Sequence, residues 1–182
     1  DTKEIRRQIE FMKECQKRIK NILAICWGMQ VAVTAAGGVV NKGKNGAHRG
    51  IAHEIVINSD GLNHPIYKDK DKIFNTPAFN YDEVVTLPKD AILLSSNKVN
   101  NVMALNFETE FSKIWGIQYH PEITYEKMIT LIKFRRERLL ENKSFSDEKD
   151  LESHISMIEK EDKITKKESR MRELKNWLDL IA

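Results

Sequence analysis

The nine-residue segment 22–30 (I-L-A-I-C-W-G-M-Q) constrains the fold of this chain more than any other. It begins with four apolar residues, and such an unbroken run is typical of a strand covered on both faces of a sheet. Cys26 follows at once, with Ala24 and Gly28 two residues to either side, where a sharp strand-to-helix turn tolerates only small side chains. The segment predicts a nucleophile elbow, which aims the sulfur at backbone N–H groups of a helix start. A buried structural thiol is the alternative, because free cysteine is often buried.

A second apolar run, segment 114–122 (I-W-G-I-Q-Y-H-P-E), ends in a histidine and a glutamate separated by proline. A cysteine nucleophile needs a base that holds it as thiolate, and the base needs a carboxylate that fixes its tautomer. The carboxyl ends of strands in an open α/β sheet line one crevice, so two such ends can meet there. We therefore predict that Cys26, His120 and Glu122 act together as nucleophile, base and orienting carboxylate.

These two segments resemble the signature motifs of the class I (triad) glutamine amidotransferases. The family's elbow reads G-x-C-x-G-x-Q and its second motif reads G-x-Q-x-H-P-E; residues 24–30 and 116–122 match both, except that Ala24 replaces the first glycine. The resemblance runs from about residue 5 to about residue 135 and is strongest to stand-alone domains similar to the glutaminase half of GMP synthase. It implies an α/β fold with an open, mostly parallel, flavodoxin-like sheet and flanking helices.

The resemblance also implies a reaction. Cys26 would attack the side-chain amide of glutamine, His120 would protonate the departing ammonia, and a γ-glutamyl thioester would form and be hydrolysed. The backbone N–H of Trp27 would donate to the oxyanion, and Gln30 would help to seat the substrate. No cofactor is implied. Nothing in the chain resembles an ATP-pyrophosphatase loop or a P-loop, so a synthetase activity would lie on another chain or be absent.

The substrate-binding segment departs from the family pattern at two positions. Phe79 and Asn80 stand where many relatives have serine and histidine, whose backbone groups hold the α-amino and α-carboxylate groups of the substrate, whereas Asp82 and Val84 match. Backbone contacts survive such replacements, so we keep both residues in the predicted substrate site. The histidine of relatives adjoins the ammonia-accepting domain, which leaves the contact with that partner open.

Three functions follow from these motifs. The first is a glutamine amidotransferase or glutaminase domain that takes glutamine as substrate and supplies ammonia to a synthetase domain or subunit. The second is a γ-glutamyl hydrolase of the same superfamily, although Gln30 and the intact H-P-E run favour the first. The third is a non-catalytic partner-binding module, against which the complete set of three catalytic residue types argues.

Composition excludes several classes of protein. The 182 residues are 41% hydrophobic and 31% charged, which suffices for one sizeable core. There is no apolar run of about 18 residues, so no membrane partner is predicted, and a net charge of +3 is too small to indicate a nucleic-acid partner. With only two cysteines, Cys15 and Cys26, the chain is no disulfide scaffold, and a free catalytic thiol predicts the reducing cytoplasm.

No metal site is predicted. His48, His53 and His64 lie near one another in the sequence, but their spacing fits no zinc template and no cysteine accompanies them. We place the amidotransferase domain at residues 1–135 and a charged helical extension that packs on or caps it at 136–182. Family members normally have a strand, a helix and a glycine-rich loop before the segment with which this sequence begins, and that loop carries a second oxyanion donor. We therefore expect the chain to be an N-terminally truncated domain, with a naturally short form of the domain as the alternative.

Overall fold

A computed structural model describes residues 2–182. Within that range the structure has eight α-helices: α1 Lys3–Gln16, α2 Trp27–Ala35, α3 Ser59–Leu62, α4 Tyr125–Phe134, α5 Arg136–Glu141, α6 Glu148–Ile164, α7 Lys167–Arg170 and α8 Arg172–Ile181. The described strands are β1 Asn21–Ile25, β2 Val39–Lys42, β3 His48–Arg49, β4 Ala52–Ile57, β5 Ile73–Thr76, β6 Phe79–Asn80, β7 Asp82–Thr86, β8 Ile92–Ser96, β9 Ala104–Glu108 and β10 Lys113–Ile117. None of the helices in this range is long and apolar enough to cross a membrane.

The main sheet has six described strands in the order β1-β10-β9-β8-β4-β5. The α/β class with flanking helices is confirmed, but the pairing differs from the mostly parallel sheet that we expected. Only β1 and β10 run parallel among these strands, and the other neighbours are antiparallel. The physical reason is that β8, β9 and β10 are joined by short loops, and short loops connect antiparallel neighbours, whereas parallel strands need a long crossover. The sheet is therefore mixed.

The strand pair β1–β10 is the part of the fold that positions the candidate site. Ile25 is level with Ile117 in this pair, so the residues that follow each strand emerge at the same edge of the sheet. Helix α2 packs against β10 at Gly116, where an added Cβ would lie 2.7 Å from the Met29 side chain. This close approach fixes the start of α2 against the strand that leads to His120.

Two local elements differ from what their amino-acid composition predicts. The segment 39–49 is rich in Lys, Gly and Asn, which predicts a loop, but it contains β2 and β3, which pair with β7 and β6 respectively. These pairings use backbone hydrogen bonds, which side-chain composition does not reveal. The Ser-Asp-Gly sequence at residues 59–61 is typical of a turn, but it forms the short helix α3, capped by the Asn58 side chain, which accepts a hydrogen bond from Gly61 N at 2.8 Å.

The C-terminal segment shares a hydrophobic cluster with the rest of the chain. Leu151, Ile155 and Ile158 form an apolar stripe on α6 that is buried and packs in one cluster with Ile51 and Ile132. Helix α8 contributes Trp177 to the cluster that contains the centre of the sheet. Most charged residues of α6 face solvent while its apolar face packs against α4, as an amphipathic helix requires, whereas Arg170 and Glu173 further along the segment are buried.

Candidate active site

Cys26 lies in the turn between β1 and α2, with φ 49° and ψ −107°. A positive φ is rare for a residue with a Cβ and is a form of backbone strain that concentrates at functional sites. Two hydrogen bonds hold the turn: Cys26 N donates to Ile117 O at 2.7 Å, and Gln30 N donates to Cys26 O at 3.1 Å. The strand–turn–helix predicted from segment 22–30 is thus present. A Cβ at Gly28 would meet nothing within 4 Å, so space alone does not require the small residue that we expected there.

The sulfur of Cys26 has a buried amide beside it. Gln118 Nε2 donates to Cys26 Sγ at 3.4 Å, and Gln118 Oε1 accepts from Gln30 Nε2 at 3.1 Å. The carbonyl oxygen of Phe79 lies 4.0 Å from the same sulfur. We did not assign Gln118 a role from the sequence, yet its position gave a signal. It stands two residues before His120, and residues at that spacing in an extended segment lie on the same face.

His120 and Glu122 form a close pair at the end of β10. His120 Nδ1 lies 2.6 Å from Glu122 Oε1, and His120 N donates to Pro77 O at 2.8 Å. Burial, the largest single influence, lowers the pKa of His120, but hydrogen bonds with Cys26 and Glu122 and the charges of both outweigh it and raise the pKa to about 9. His120 is therefore predominantly protonated at neutral pH. Because Nδ1 is engaged by the carboxylate, Nε2 is the nitrogen left to serve the sulfur.

Asn80 lies in the predicted segment, but its side chain belongs to a buried network. Its Oδ1 lies 2.8 Å from His48 Nδ1, and its Nδ2 donates to Asp82 O at 3.0 Å. The far ring nitrogen of His48, Nε2, lies 3.0 Å from Asn97 Nδ2. Burial lowers the pKa of His48, which favours a neutral ring that donates from Nδ1 and accepts at Nε2. The Asn80 side chain thus ties its own segment to His48 and to Asp82.

The remaining predicted residues surround the elbow. The Gln30 amide donates to both Asp82 O, at 2.9 Å, and Gln118 Oε1, so it links α2 to β7 and to the amide beside the sulfur. Trp27 is 43% exposed, and its Nε1 donates to Gln8 Oε1 at 2.5 Å. As the first residue of α2, Trp27 has one of the backbone N–H groups that find no acceptor within their own helix.

The Phe79 ring packs against the apolar cluster that includes the C-terminal helices. It lies edge-on to Tyr81, with ring centroids 6.1 Å apart, and the Arg135 guanidinium lies 5.2 Å above it. Its contribution beside Cys26 is the backbone carbonyl. Across residues 2–182, no group of three or more His, Cys, Asp or Glu side chains is arranged to hold a metal ion.

The family model for the class-I glutamine amidotransferases matches residues 1–136, so the chain belongs to that family, as its motifs indicated. It is 29% identical over 97% of its length to a γ-glutamyl-L-1-hydroxyisopropylamide hydrolase of a Pseudomonas species, of which it covers 66%. It is 32% identical over 58% of its length to one subunit of the glutamine-hydrolysing GMP synthase of Methanosarcina acetivorans, of which it covers 52%. The chain thus spans about half to two thirds of the length of these curated relatives.

A solved structure shares this fold. A glutamine amidotransferase from Thermotoga maritima superimposes with a TM-score of 0.70 over 97% of this chain and 69% of that chain, at 18% identity. At this identity the likeness speaks for the fold alone. It extends through the C-terminal helices, which lie beyond the residues matched by the family model.

Proposed function

We propose that the protein hydrolyses the side-chain amide of glutamine through a thioester on Cys26 and releases ammonia to an acceptor enzyme. The observation that carries the proposal is the strained elbow at Cys26, with His120 and its hydrogen-bonded partner Glu122 at the neighbouring strand end. A histidine that is oriented by a carboxylate is the partner that a cysteine nucleophile uses as its base. A structural thiol has no need of a positive φ or of a histidine–carboxylate partner.

The proposed reaction has two halves. The Cys26 thiolate attacks the amide carbon of glutamine, and the oxyanion that forms accepts a hydrogen bond from Trp27 N–H. His120 then gives its proton to the amide nitrogen, the C–N bond breaks, and ammonia leaves. In the second half, neutral His120 takes a proton from water, the hydroxide adds to the thioester, and the C–S bond breaks to release glutamate and the thiolate. Loss of one oxyanion donor in an acyl-transfer enzyme raises the barrier by about 3–4 kcal/mol.

A second candidate is the hydrolysis of a γ-glutamyl amine, in which an amine leaves in place of ammonia. The observation that favours it is coverage: the Pseudomonas hydrolase aligns with 97% of the chain, including the C-terminal helices, whereas the Methanosarcina protein aligns with 58%. The attack on the carbonyl carbon is the same in both reactions. The two differ in the room needed beyond the scissile bond for the leaving group.

The first candidate function also suggests a partner and a compartment. If the ammonia is passed on, the partner is a synthetase domain or subunit that consumes it. The Methanosarcina relative is named as one subunit of such a synthase, which supports this proposal. A catalytic thiol of this type requires reducing conditions, and we therefore place the reaction in the cytoplasm.

The test measures ammonia release from glutamine by the complete protein and compares two cysteine variants. Cys26→Ala should abolish release, and Cys15→Ala should leave it near wild type, because Cys15 lies on helix α1 away from the elbow. Equal losses in both variants would point to a structural role for the thiols. The specificity constant for glutamine should exceed that for γ-glutamyl isopropylamide at least about tenfold, which needs about 1.4 kcal/mol of discrimination. The reverse preference would establish the second candidate.

A further inference from the structure

The loop that carries His120 and Glu122 is held from behind by helix α7. The Arg170 guanidinium donates from one nitrogen to two backbone carbonyls, those of Pro121 and Ile123, the latter at 2.9 Å. These carbonyls belong to the residues on either side of Glu122. Arg170 is 8% exposed, so both hydrogen bonds are largely shielded from water.

A second contact holds the residue before His120. Tyr119 OH donates to the Glu173 carboxylate at 2.8 Å, and Lys70 Nζ lies 3.1 Å from a carboxylate oxygen of the same group. Lys70 also donates to Ser169 O at 2.7 Å, so the same lysine contacts both Glu173 and the residue before Arg170. The Lys70 and Glu173 side chains are fully buried. Glu173 and Arg170 therefore hydrogen-bond to the loop before and after His120, respectively.

We propose that Arg170 is a positioning residue that fixes the Glu122 carboxylate against His120, so that this one residue of the C-terminal extension supports the candidate catalytic pair. This inference rests on the proposed function. Glu122 reaches His120 Nδ1 only from a short loop, and the proline within it lacks the backbone N–H through which a loop residue is usually held. The two carbonyl hydrogen bonds from Arg170 supply that restraint. A displacement of about 1 Å at a reacting group can lower turnover about a hundredfold.

Asn176 offers a matched control. It lies in the same extension, is 8% exposed like Arg170, and also donates from one nitrogen to two carbonyls, those of Ile66 and Lys68, each at 2.8 Å. Its contacts are to the 3₁₀ helix after α3 and its C-cap, away from the His120 loop. A variant at Asn176 therefore loses the same number of hydrogen bonds to backbone carbonyls, from a neutral donor, without touching the loop.

The experiment compares wild type, Arg170→Ala and Asn176→Ala in the complete protein. Three rates are measured: turnover of glutamine, turnover of γ-glutamyl isopropylamide, and alkylation of Cys26 by iodoacetamide, which is followed by peptide mass spectrometry with Cys15 as internal reference. Arg170→Ala should lower the alkylation rate and the turnover of the preferred substrate at least about tenfold, whereas Asn176→Ala should leave all rates within about twofold of wild type. Millimolar guanidinium should restore part of the lost rate in Arg170→Ala alone. Arg170→Lys, which keeps the charge and one donor, should fall between wild type and the alanine variant.

The outcomes separate this inference from the proposed function. Two results would overturn the positioning role while Cys26 remains reactive. One is a folded Arg170→Ala variant with wild-type rates. The other is a loss of rate that is proportional to the loss of thermal stability in both the Arg170 and the Asn176 variants. If Arg170→Ala does not fold, Arg170→Lys is judged by the same criteria. Wild-type Cys26 that reacts no faster than Cys15 and turns over neither substrate would instead refute the proposed function, and the inference with it.

Discussion

Replacing Cys26 by glycine should give a more stable protein than replacing it by alanine. Both changes remove the thiol and its interaction with His120, so the comparison isolates the Cβ at φ 49°. Relief of strain at such a backbone conformation contributes about 1–3 kcal/mol, and the greater flexibility of unfolded glycine offsets about 0.4–1 kcal/mol of it. The glycine variant should therefore unfold with a free energy about 1 kcal/mol higher than that of the alanine variant.

The second cysteine provides the control for this comparison. Cys15 lies within helix α1, where glycine is less stable than alanine by about 0.5–1 kcal/mol. The order of the two variants should thus reverse between the two positions. Urea unfolding of the four variants, followed by circular dichroism, measures the free energies. For a protein of this size a difference of about 1 kcal/mol also shifts the melting temperature by about 2–4 °C.

The same order at both positions would refute the reasoning. If Cys26→Gly were also less stable than Cys26→Ala, the positive φ at this position would cause no measurable strain for a residue that has a Cβ. The elbow would then be an ordinary turn, and the strain that supports a catalytic role for Cys26 would be lost.

Three further predictions concern the buried polar groups of the site. The pKa of His120, about 9, lies above the 6.5 of unfolded histidine, so its contribution to stability is complete below about pH 6.5 and lost as pH rises through 9. Between pH 6.5 and 9 the unfolding free energy of wild type should fall by at most about 3 kcal/mol relative to that of His120→Asn. A difference between the two proteins that does not change with pH would contradict this prediction. Glu173→Gln should cost about 3–5 kcal/mol by leaving the Lys70 charge buried and unpaired, and Glu173→Gln combined with Lys70→Met should recover most of it in urea titrations. Gln118→Leu removes the donor to Cys26 Sγ and should lower turnover about tenfold; an unchanged kcat would exclude a role for it.

The parts of the site that the sequence predicted are those encoded by local spacing. The elbow follows from an apolar run, a cysteine and a helix start within nine residues, and His120 and Glu122 follow from one strand end. The meeting of the two strand ends required only that their strands be neighbours, which β1 and β10 are. Contacts that join distant parts of the chain gave no comparable signal. The bond between His48 and Asn80 spans 32 positions and depends on the pairing of β3 with β6, which composition did not reveal.

The mixed pairing of the sheet illustrates the same limit. The family resemblance favoured a mostly parallel sheet, but strand direction is set by the length of each connection and by which strands become neighbours. The loop of residues 109–112 joins β9 to β10 and leaves them antiparallel, whereas β1 meets β10 after 87 intervening positions, from 26 to 112. Alternation of apolar residues identifies a strand without specifying its direction. Fold class was therefore predictable where topology was not.

The C-terminal extension should unfold together with the rest of the protein. Five of its apolar side chains lie in the cluster that includes Ile51 and Ile132: Leu139, Phe145, Leu151, Ile155 and Ile158. Burial contributes about 2 kcal/mol for each such side chain, or about 10 kcal/mol for the five, before the conformational entropy cost of folding is subtracted. Because the net stability of a domain is only about 5–15 kcal/mol, we expect neither residues 1–135 nor 136–182 to be stable alone. Single-tryptophan variants that retain Trp115, in the sheet, or Trp177, on α8, should report the same urea midpoint. A lower urea midpoint for the variant that retains Trp177 would show that the extension unfolds first. The hydrogen bonds from Arg170 to the His120 loop would then break before the sheet unfolds.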